Sequence, residues 1–400
     1  MATAPSFVPI DRALPTTVAG QRNFINTLTQ RVIADVRDEI IFWEPEAAPL
    51  QVLTRGIKET RTVSQYSFDW IEKDPYPREV TVSGSQTSGD VSIELAAGHG
   101  GRVGKYWVYK NRRTRENVWV SAITTDTLTV TRGIGGGAAA MLDGDILEFI
   151  GAAYESGASK GDLRSTKENR EYNLCQIIRT AYGWDGRQMN TGLYGGKDTA
   201  TERRSQAIEH KKSIELAMFF GGKHDTTGPN GNKLTFMDGV ERFIRSNVWD
   251  LNGGEPTDRQ FVEFMETAMR WGKSGVVNGG GTKWLFASPR WMTIIEGFAR
   301  DKIQYRPSDQ TVGLSVGTYQ TVHGTLKIVR EPIFNGEHGS YAFLLDMKHI
   351  KYVSHEGRDT QLIKNIQAND VDGSEEEYKT DCSIEVQVEG AHALLKNCAI

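Results

Sequence analysis

The run from Lys197 to Phe220, KDTATERRSQAIEHKKSIELAMFF, constrains this chain most, because it contains no proline, no glycine and no break in helical character. Thr199 stands where a cap is needed, and Glu202, three residues on, can reach back to the cap amide. Gly221 and Gly222 follow as a stop, since glycine enters the left-handed conformation at a helix end without steric cost. Ala207, Ile214 and Met218 form a narrow apolar stripe. Around it stand Glu202, Arg203, Arg204, Glu209, His210, Lys211, Lys212 and Glu215. A mostly polar helix of this length needs partners along its sides or bridges two surfaces. The expectation is a strut.

With 400 residues the chain exceeds one ordinary core, and two or more structural units are expected. Hydrophobic residues make up 38% and charged residues 24%, the balance of a globular protein. A net charge of -4 lacks the basic excess of a dedicated nucleic-acid binder, though not of a protein that merely encloses nucleic acid. Cys175, Cys382 and Cys398 have no C-x-x-C spacing, so they read as reduced thiols, buried or near-terminal. The first residues, MATAPSFVPIDR, lack the basic start and apolar run of a signal peptide. No apolar run approaches the ~20 residues that span a bilayer.

Residues 1–57 read as an arm. A helix is expected over Phe24–Ile41, with Phe24, Leu28, Val32 and Val36 on one face. Pro45 and Pro49 end it, leaving FWEPEAAPLQVL as an extended apolar segment that needs another surface. From 58 to 77 residues alternate as in one strand, with Thr62, Ser64, Tyr66, Phe68 and Trp70 on one side. Between 78 and 150, six short β-like runs (EVTVS, DVSIEL, KYWVYK, NVWVSAI, TLTVTRG, ILEFIG) alternate with turn-rich links, the spacing of a small antiparallel barrel or sandwich. EYNLCQIIRTAY reads as a strand or short helix, and GGKHDTTGPNGNK as a loop leading to a helix near Met237–Ile244. Thr257 and Gln260 make a capping box before TDRQFVEFMETAMRWG. TKWLFAS is a strand. Ser288 then caps a helix that carries Pro289 in its first turn. TLKIVRE, YAFLLD and HIKYVS add strands, an order that predicts a mixed α/β layer. SIEVQVEGAHALLKN reads as a last strand returning to the body.

Motifs of catalysis fail on their surroundings. Gly272-Lys273-Ser274 ends like a phosphate loop, but the required glycine five residues before Gly272 is Thr267, and a helix precedes it rather than a strand. Gly133, Gly135, Gly136 and Gly137 lead into a strand, not a helix, so they read as a loop tip. His355-Glu356 lacks its second histidine, because position 359 is Asp. The histidines, among them His99, His210, His224, His323, His349 and His392, show no ligand spacing and read as surface or capped. Asp143 and Asp145 flank Gly144 in a tight turn. No catalytic residue, cofactor site or metal site is expected.

The order of elements carries a resemblance. EAAPLQVLTRGIKETRTVSQYSFDWIEKDP passes from an apolar arm into a strand. TLTVTRGIGGGAAAMLDGDILEFIGAAYESG matches a family run, apart from Ser156 between Glu155 and Gly157. EYNLCQIIRTAYG with TERRSQAIEHKKSIELAMFFGG gives a strand followed by a long helix. Together these resemble the major capsid protein of tailed bacteriophages with the HK97 fold, and within it the family labelled DUF5309, or SU10-type. The resemblance implies an α+β fold. Residues 1–57 would be the N-terminal arm, and 58–77 with 151–170 the E-loop, carrying 78–150 as an inserted β subdomain. Residues 171–250 and 346–400 would be the P-domain with its spine at 197–220, and 251–345 the A-domain. It implies an icosahedral shell of hexamers and pentamers around packaged double-stranded DNA, assembled in the host cytoplasm. Scaffolding, portal and decoration proteins are the further partners, and no membrane is involved. Contacts between subunits would fall on Phe42, Trp43, Leu50 and Leu53 of the arm, Phe68 and Trp70 of the E-loop, and Tyr106 and Tyr109 of the insertion. Lys73, Lys160 and Lys167 would be the donors of any isopeptide crosslink. The competing readings are a ring-forming tail-tube protein, which would not need the long helix, and a β-rich carbohydrate-active enzyme, which would need a cleft with paired carboxylates.

Overall fold

The computed structural model describes residues 48–399, apart from 58, 74, 159–164, 192–197, 271–280, 299–302, 305–309, 312–313 and 322. The helix expected at Phe24–Ile41, the contact residues Phe42 and Trp43, Lys160, and Gly272-Lys273-Ser274 lie outside the described residues.

The long helix runs Asp198–Phe220, 23 residues and therefore about 35 Å. Thr199 is already helical, so the cap precedes it, outside the described residues. The polar side of this helix is not all solvent-facing: His210 and Glu215 are buried with Ile214, Met218 and Phe219. Sequence periodicity placed both on the wet side. They are buried because each finds partners there. His210 sits between the hydroxyls of Thr180 (2.9 Å) and Thr380 (2.7 Å), and burial lowers its pKa, so it stays neutral.

The helix lies on a central sheet of five strands. Their order is Thr60–Val63, Ile350–His355, Gly373–Val386, Gln176–Asp185, with Gln361–Lys364 also paired to the Gly373–Val386 strand. The strand expected over 58–77 is therefore two strands. Thr60–Val63 joins this sheet, parallel to Tyr352–His355, and after a bend Ser67–Lys73 pairs antiparallel with Glu168–Leu174 in a separate two-stranded ribbon. EYNLCQIIRTAY likewise divides at Cys175 into a ribbon strand and a central strand.

The expected extended segment near Pro49 is a helix, Pro49–Gly56. Proline does not break it but starts it, since its missing N–H costs nothing in a first turn. Leu50 and Leu53 are wholly buried in a core with Ile214, Met218, Tyr352 and Val353. This root helix is thus fixed to its own chain.

A second, eight-stranded sheet has the order Val248–Asp250, Ala393–Lys396, Ala342–Leu345, Gly281–Ala287, Gly324–Arg330, Leu314–Thr321, Ile303–Gln304, with Gln310–Thr311 paired to Leu314–Thr321. Strands 248–250 and 393–396, which the sequence reading grouped with 171–250 and 346–400 rather than with 251–345, belong to this sheet. One face packs Phe286, Phe343 and Leu394 on the long helix's core. The other packs Leu285, Leu326 and Leu344 under helices Asp258–Ala268 and Pro289–Phe298. Coverage of both faces explains the near-continuous burial of Gly281–Ala287, Lys283 included. The Thr257–Gln260 capping box and the Ser288 cap are both formed. The loop expected at 221–233 gives way to a hairpin, His224–Thr227 with Lys233–Phe236, and the helix after it is one turn, Val240–Phe243.

Residues 79–152 form a barrel. Six strands run in the order Glu79–Thr81, Ile146–Ala152, Trp107–Asn111, Asn117–Thr124, Thr127–Thr131, Ser92–Glu94, all antiparallel. An antiparallel bridge between Val82 and Leu95 joins the first strand to the last and closes the ring. Its interior has its own core, including Val80, Ile93, Tyr109, Val118, Leu128 and Leu147.

Candidate assembly surfaces

Three places raised by the sequence can be compared with the structure. At the root helix, Ala48 offers no side-chain cap. The cap comes instead from the long helix: Glu215 accepts from the amides of Leu50 (2.6 Å) and Gln51 (3.0 Å). An anion at a helix N-terminus satisfies orphan donors and meets the positive end of the dipole. Thr54 bonds back to the carbonyls of Leu50 and Gln51. Arg55 reaches the Tyr352 hydroxyl (2.9 Å) and Asp359 (2.7 Å). Leu50 and Leu53 are therefore core residues of this chain, not a surface for a neighbour.

The ribbon has two unlike faces. Phe68 and Trp70 point inward, and Trp70 packs against Phe243 with ring centroids 5.7 Å apart. These two also belong to the subunit's own core, because strand alternation turns them toward the long helix's side. The opposite face presents Ile71, 68% exposed, and Tyr172, 47% exposed. Sequence reasoning selected the aromatic pair and missed Ile71; the alternation that buries Trp70 dictates that Ile71 faces out. Among the described residues the two ribbon strands pair only with each other. Lys73 and Lys167 are exposed at the ribbon's outer end.

The barrel is threaded between the two ribbon strands: residues 75–78 lead from Lys73 into its first strand, and its last strand leads back toward Glu168. Tyr109 is fully buried among Trp107 and Phe149, so it too is core. Tyr106 is half-buried, stacked on Trp119 at 5.6 Å and edge-on to Tyr154 at 5.3 Å. Of the eight contact residues expected, Tyr106 alone among the six described keeps part of its surface.

A groove that the sequence did not announce lies between ribbon and body. It has a volume of about 680 Å³ and is lined by Trp70, Glu72, Phe243, Arg245, Val388 and Glu389. Its floor is held by Glu389, which accepts from the amides of Arg245 and Ser246, and by Glu72, which accepts from the Val388 amide.

The remaining polar burial is structural. Glu376 meets Arg203 of the long helix, which holds its carboxyl below the usual range, and Asp145 is held down by Arg113 in the same way. Of the histidines read as surface or capped, His210, His349 and His392 are buried, and His210 and His392 are hydrogen-bonded there. Burial pushes the His392 imidazole down to about 4. Among the described residues no cluster of histidine, cysteine and carboxylate could hold a metal, and no helix is long and apolar enough to cross a membrane. Cys175, Cys382 and Cys398 are buried free thiols.

Comparison with known proteins gives a consistent set. The family described as SU10 major capsid protein matches residues 17–399. A major capsid protein of Pseudomonas phage PaMx41 is 22% identical over 346 residues, covering 79% of this chain and 77% of that protein. Among solved structures, one of Gordonia phage Cozz shares 11% identity and a TM-score of 0.49, covering 97% of this chain and 98% of the other. The capsid of a native GTA particle shares 9% and 0.47, covering 97% and 100%.

Proposed function

The chain belongs to the SU10 major capsid protein family, and on that premise we propose that its copies close into an icosahedral shell of hexamers and pentamers around double-stranded DNA. It is a phage major capsid protein, a structural component of the virion and not an enzyme. The finer reading is that of the HK97 fold. The long helix is the spine of a P-domain built with the central sheet. The ribbon is the E-loop, carrying the barrel as an insertion. The eight-stranded sheet with its two helices is the A-domain, enlarged by strands 248–250 and 393–396. The shell is assembled in the host cytoplasm, with scaffolding, portal and decoration proteins as its further partners. A tail-tube ring remains the weaker reading, since it gives the long helix no role.

The observation that carries the shell reading is the ribbon. A two-stranded ribbon is marginal in water by itself. This one exposes Ile71 and Tyr172 on the face turned from its own core. A neighbouring subunit that covers this face supplies what the single chain leaves open. Ile71→Lys is expected to cut the yield of closed particles at least about tenfold. The same change should alter free-subunit stability by no more than about 0.5 kcal/mol, the usual range for exposed positions. Electron microscopy and a denaturant melt of the unassembled subunit read the two effects. Shells in undiminished yield would remove the ribbon face from the contact.

The barrel gives a separate test. Its ends lie together, since Glu79 pairs with Glu148, and insertions are tolerated where chain ends meet at an exposed site. Replacing 79–152 with a short linker should leave the rest of the subunit folded, by circular dichroism and a cooperative melt. A molten remainder would mean that the barrel supports the body.

A further inference from the structure

The long helix, the root helix and the second sheet meet at two carboxyl groups that nothing in the capsid reading requires. Glu215 is fully buried, with both oxygens turned to the amides of Leu50 and Gln51. Glu331, directly after strand Gly324–Arg330, is also fully buried, and its backbone amide donates to the carbonyl of Ala287. The two side chains face each other, with Glu215 in hydrogen-bond contact with Glu331. Written as carboxylates, both are acceptors only, so neither can satisfy the other, and on the Glu331 side only the Ile333 backbone amide acts as a donor. Two buried like charges in contact are unfavourable, whereas one proton between them makes a donor, satisfies Glu331 and removes the repulsion.

The charged groups nearby do not change this. Lys211 on the same helix is exposed, and Lys212 pairs with Glu209 at 3.0 Å. Arg55 of the root helix is engaged with Asp359 and Tyr352, and Arg330 beside Glu331 is exposed. From the root helix, what reaches Glu215 is the pair of amides.

We propose that Glu215 and Glu331 form a proton-dependent clasp that ties the root helix and the long helix to the second sheet, closed while the pair holds its shared proton and loosened when that proton leaves. Burial pushes the Glu215 carboxyl up to about 8, and burial with the neighbouring Glu215 charge drives Glu331 well above the ordinary range. For an acid raised in the folded state the sign is fixed. The folded chain binds more protons than the unfolded one between the ordinary value of about 4.3 and the raised value. The clasp is therefore complete below about 4.3 and weakens as pH rises toward about 8 and beyond.

The test compares the purified full-length subunit with Glu331→Gln. Glutamine keeps the shape and donates a permanent N–H to Glu215, so the pair no longer needs a proton. Between about pH 6 and about pH 9 the unfolding equilibrium constant of the wild type should rise relative to that of the variant, by up to about tenfold per pH unit for each proton involved. Hydrogen exchange at the Leu50 and Gln51 amides, corrected for intrinsic rates, should lose protection over the same span in the wild type only. Parallel pH profiles for the two proteins overturn the proposal. If the variant does not fold, carbon NMR of glutamate-labelled wild type decides: a carboxyl titrating above about pH 6.5 supports the clasp, and none doing so overturns it. Neither readout depends on shell formation, so failure here is distinct from failure of the capsid reading.

Discussion

Phe219→Ala should destabilise the free subunit by about 3–5 kcal/mol, the range for deleting a buried aromatic ring. Phe219 lies in the last turn of the long helix and is wholly buried. Its ring meets Phe334 and Phe343 at 4.9 Å each and Phe286 at 5.8 Å. Phe286 and Phe343 belong to the second sheet, so one side chain joins helix to sheet. Phe286 and Phe343 are held on paired strands, so they cannot move in to fill the space; only Phe334 sits in a loop. Chemical denaturation of unassembled subunits measures the loss. A cost under about 1 kcal/mol would mean that the ring cluster closes around the hole.

Arg132→Ala should have an effect as large, confined to the barrel. The Arg132 and Glu116 side chains are 5% and 1% exposed. Their bond is bidentate, at 2.7 and 2.8 Å, and Arg132 also donates to the carbonyls of Thr87, Asp90 and Ala139. Glu116 accepts in turn from the amides of Gly133 and Ala139. This clamp pins three loops at one end of the barrel. Removing the arginine strands a buried carboxylate, which costs about 3–5 kcal/mol. Desolvation raises the Glu116 carboxyl, but Arg132 and the two amides outweigh it and set it below the ordinary range. A depressed acid contributes stability above its unfolded value and loses it as pH falls through the folded one. The wild-type barrel should therefore weaken in acid, and the variant should lack that dependence. Calorimetry with proteolytic mapping should find 79–152 melting first in the variant. A single unchanged transition would show that the clamp is dispensable.

What the sequence disclosed follows from the range of the forces involved. Local signals were readable: the Thr257 box, the Ser288 cap, the β runs of the barrel and the end of the long helix before Gly221, although neither Gly221 nor Gly222 takes the expected left-handed conformation. Each depends on residues a few positions apart. Errors came where a distant partner decides. Glu215 looks solvated until the amides of Leu50 and Gln51 arrive from far up the chain, and His210 until Thr180 and Thr380 flank it. Pro49 looked like a breaker because a helix start and a helix end both tolerate proline. The aromatic residues chosen as contacts, Phe68, Trp70 and Tyr109, turned out buried for the same reason they drew notice: large apolar rings gain most from a core, and this chain has cores to hold them. Ile71 was legible in principle, since it alternates with Trp70.

The way the barrel is threaded has a consequence for the order in which the chain can fold. All of its strand pairings fall within residues 79–152, so it can close before any partner from further down the chain is needed. Thr60–Val63, made before it, must wait for Ile350–His355, on the far side of the barrel and the long helix. Once closed, the barrel holds Glu79 beside Glu148 and so brings the two ribbon strands within reach of each other. The loop that the ribbon would otherwise have to close is already short, and its entropy cost falls with it. On this account a chain without the barrel reaches the same ribbon more slowly, and its delay, rather than its final stability, measures what the early-closing unit contributes.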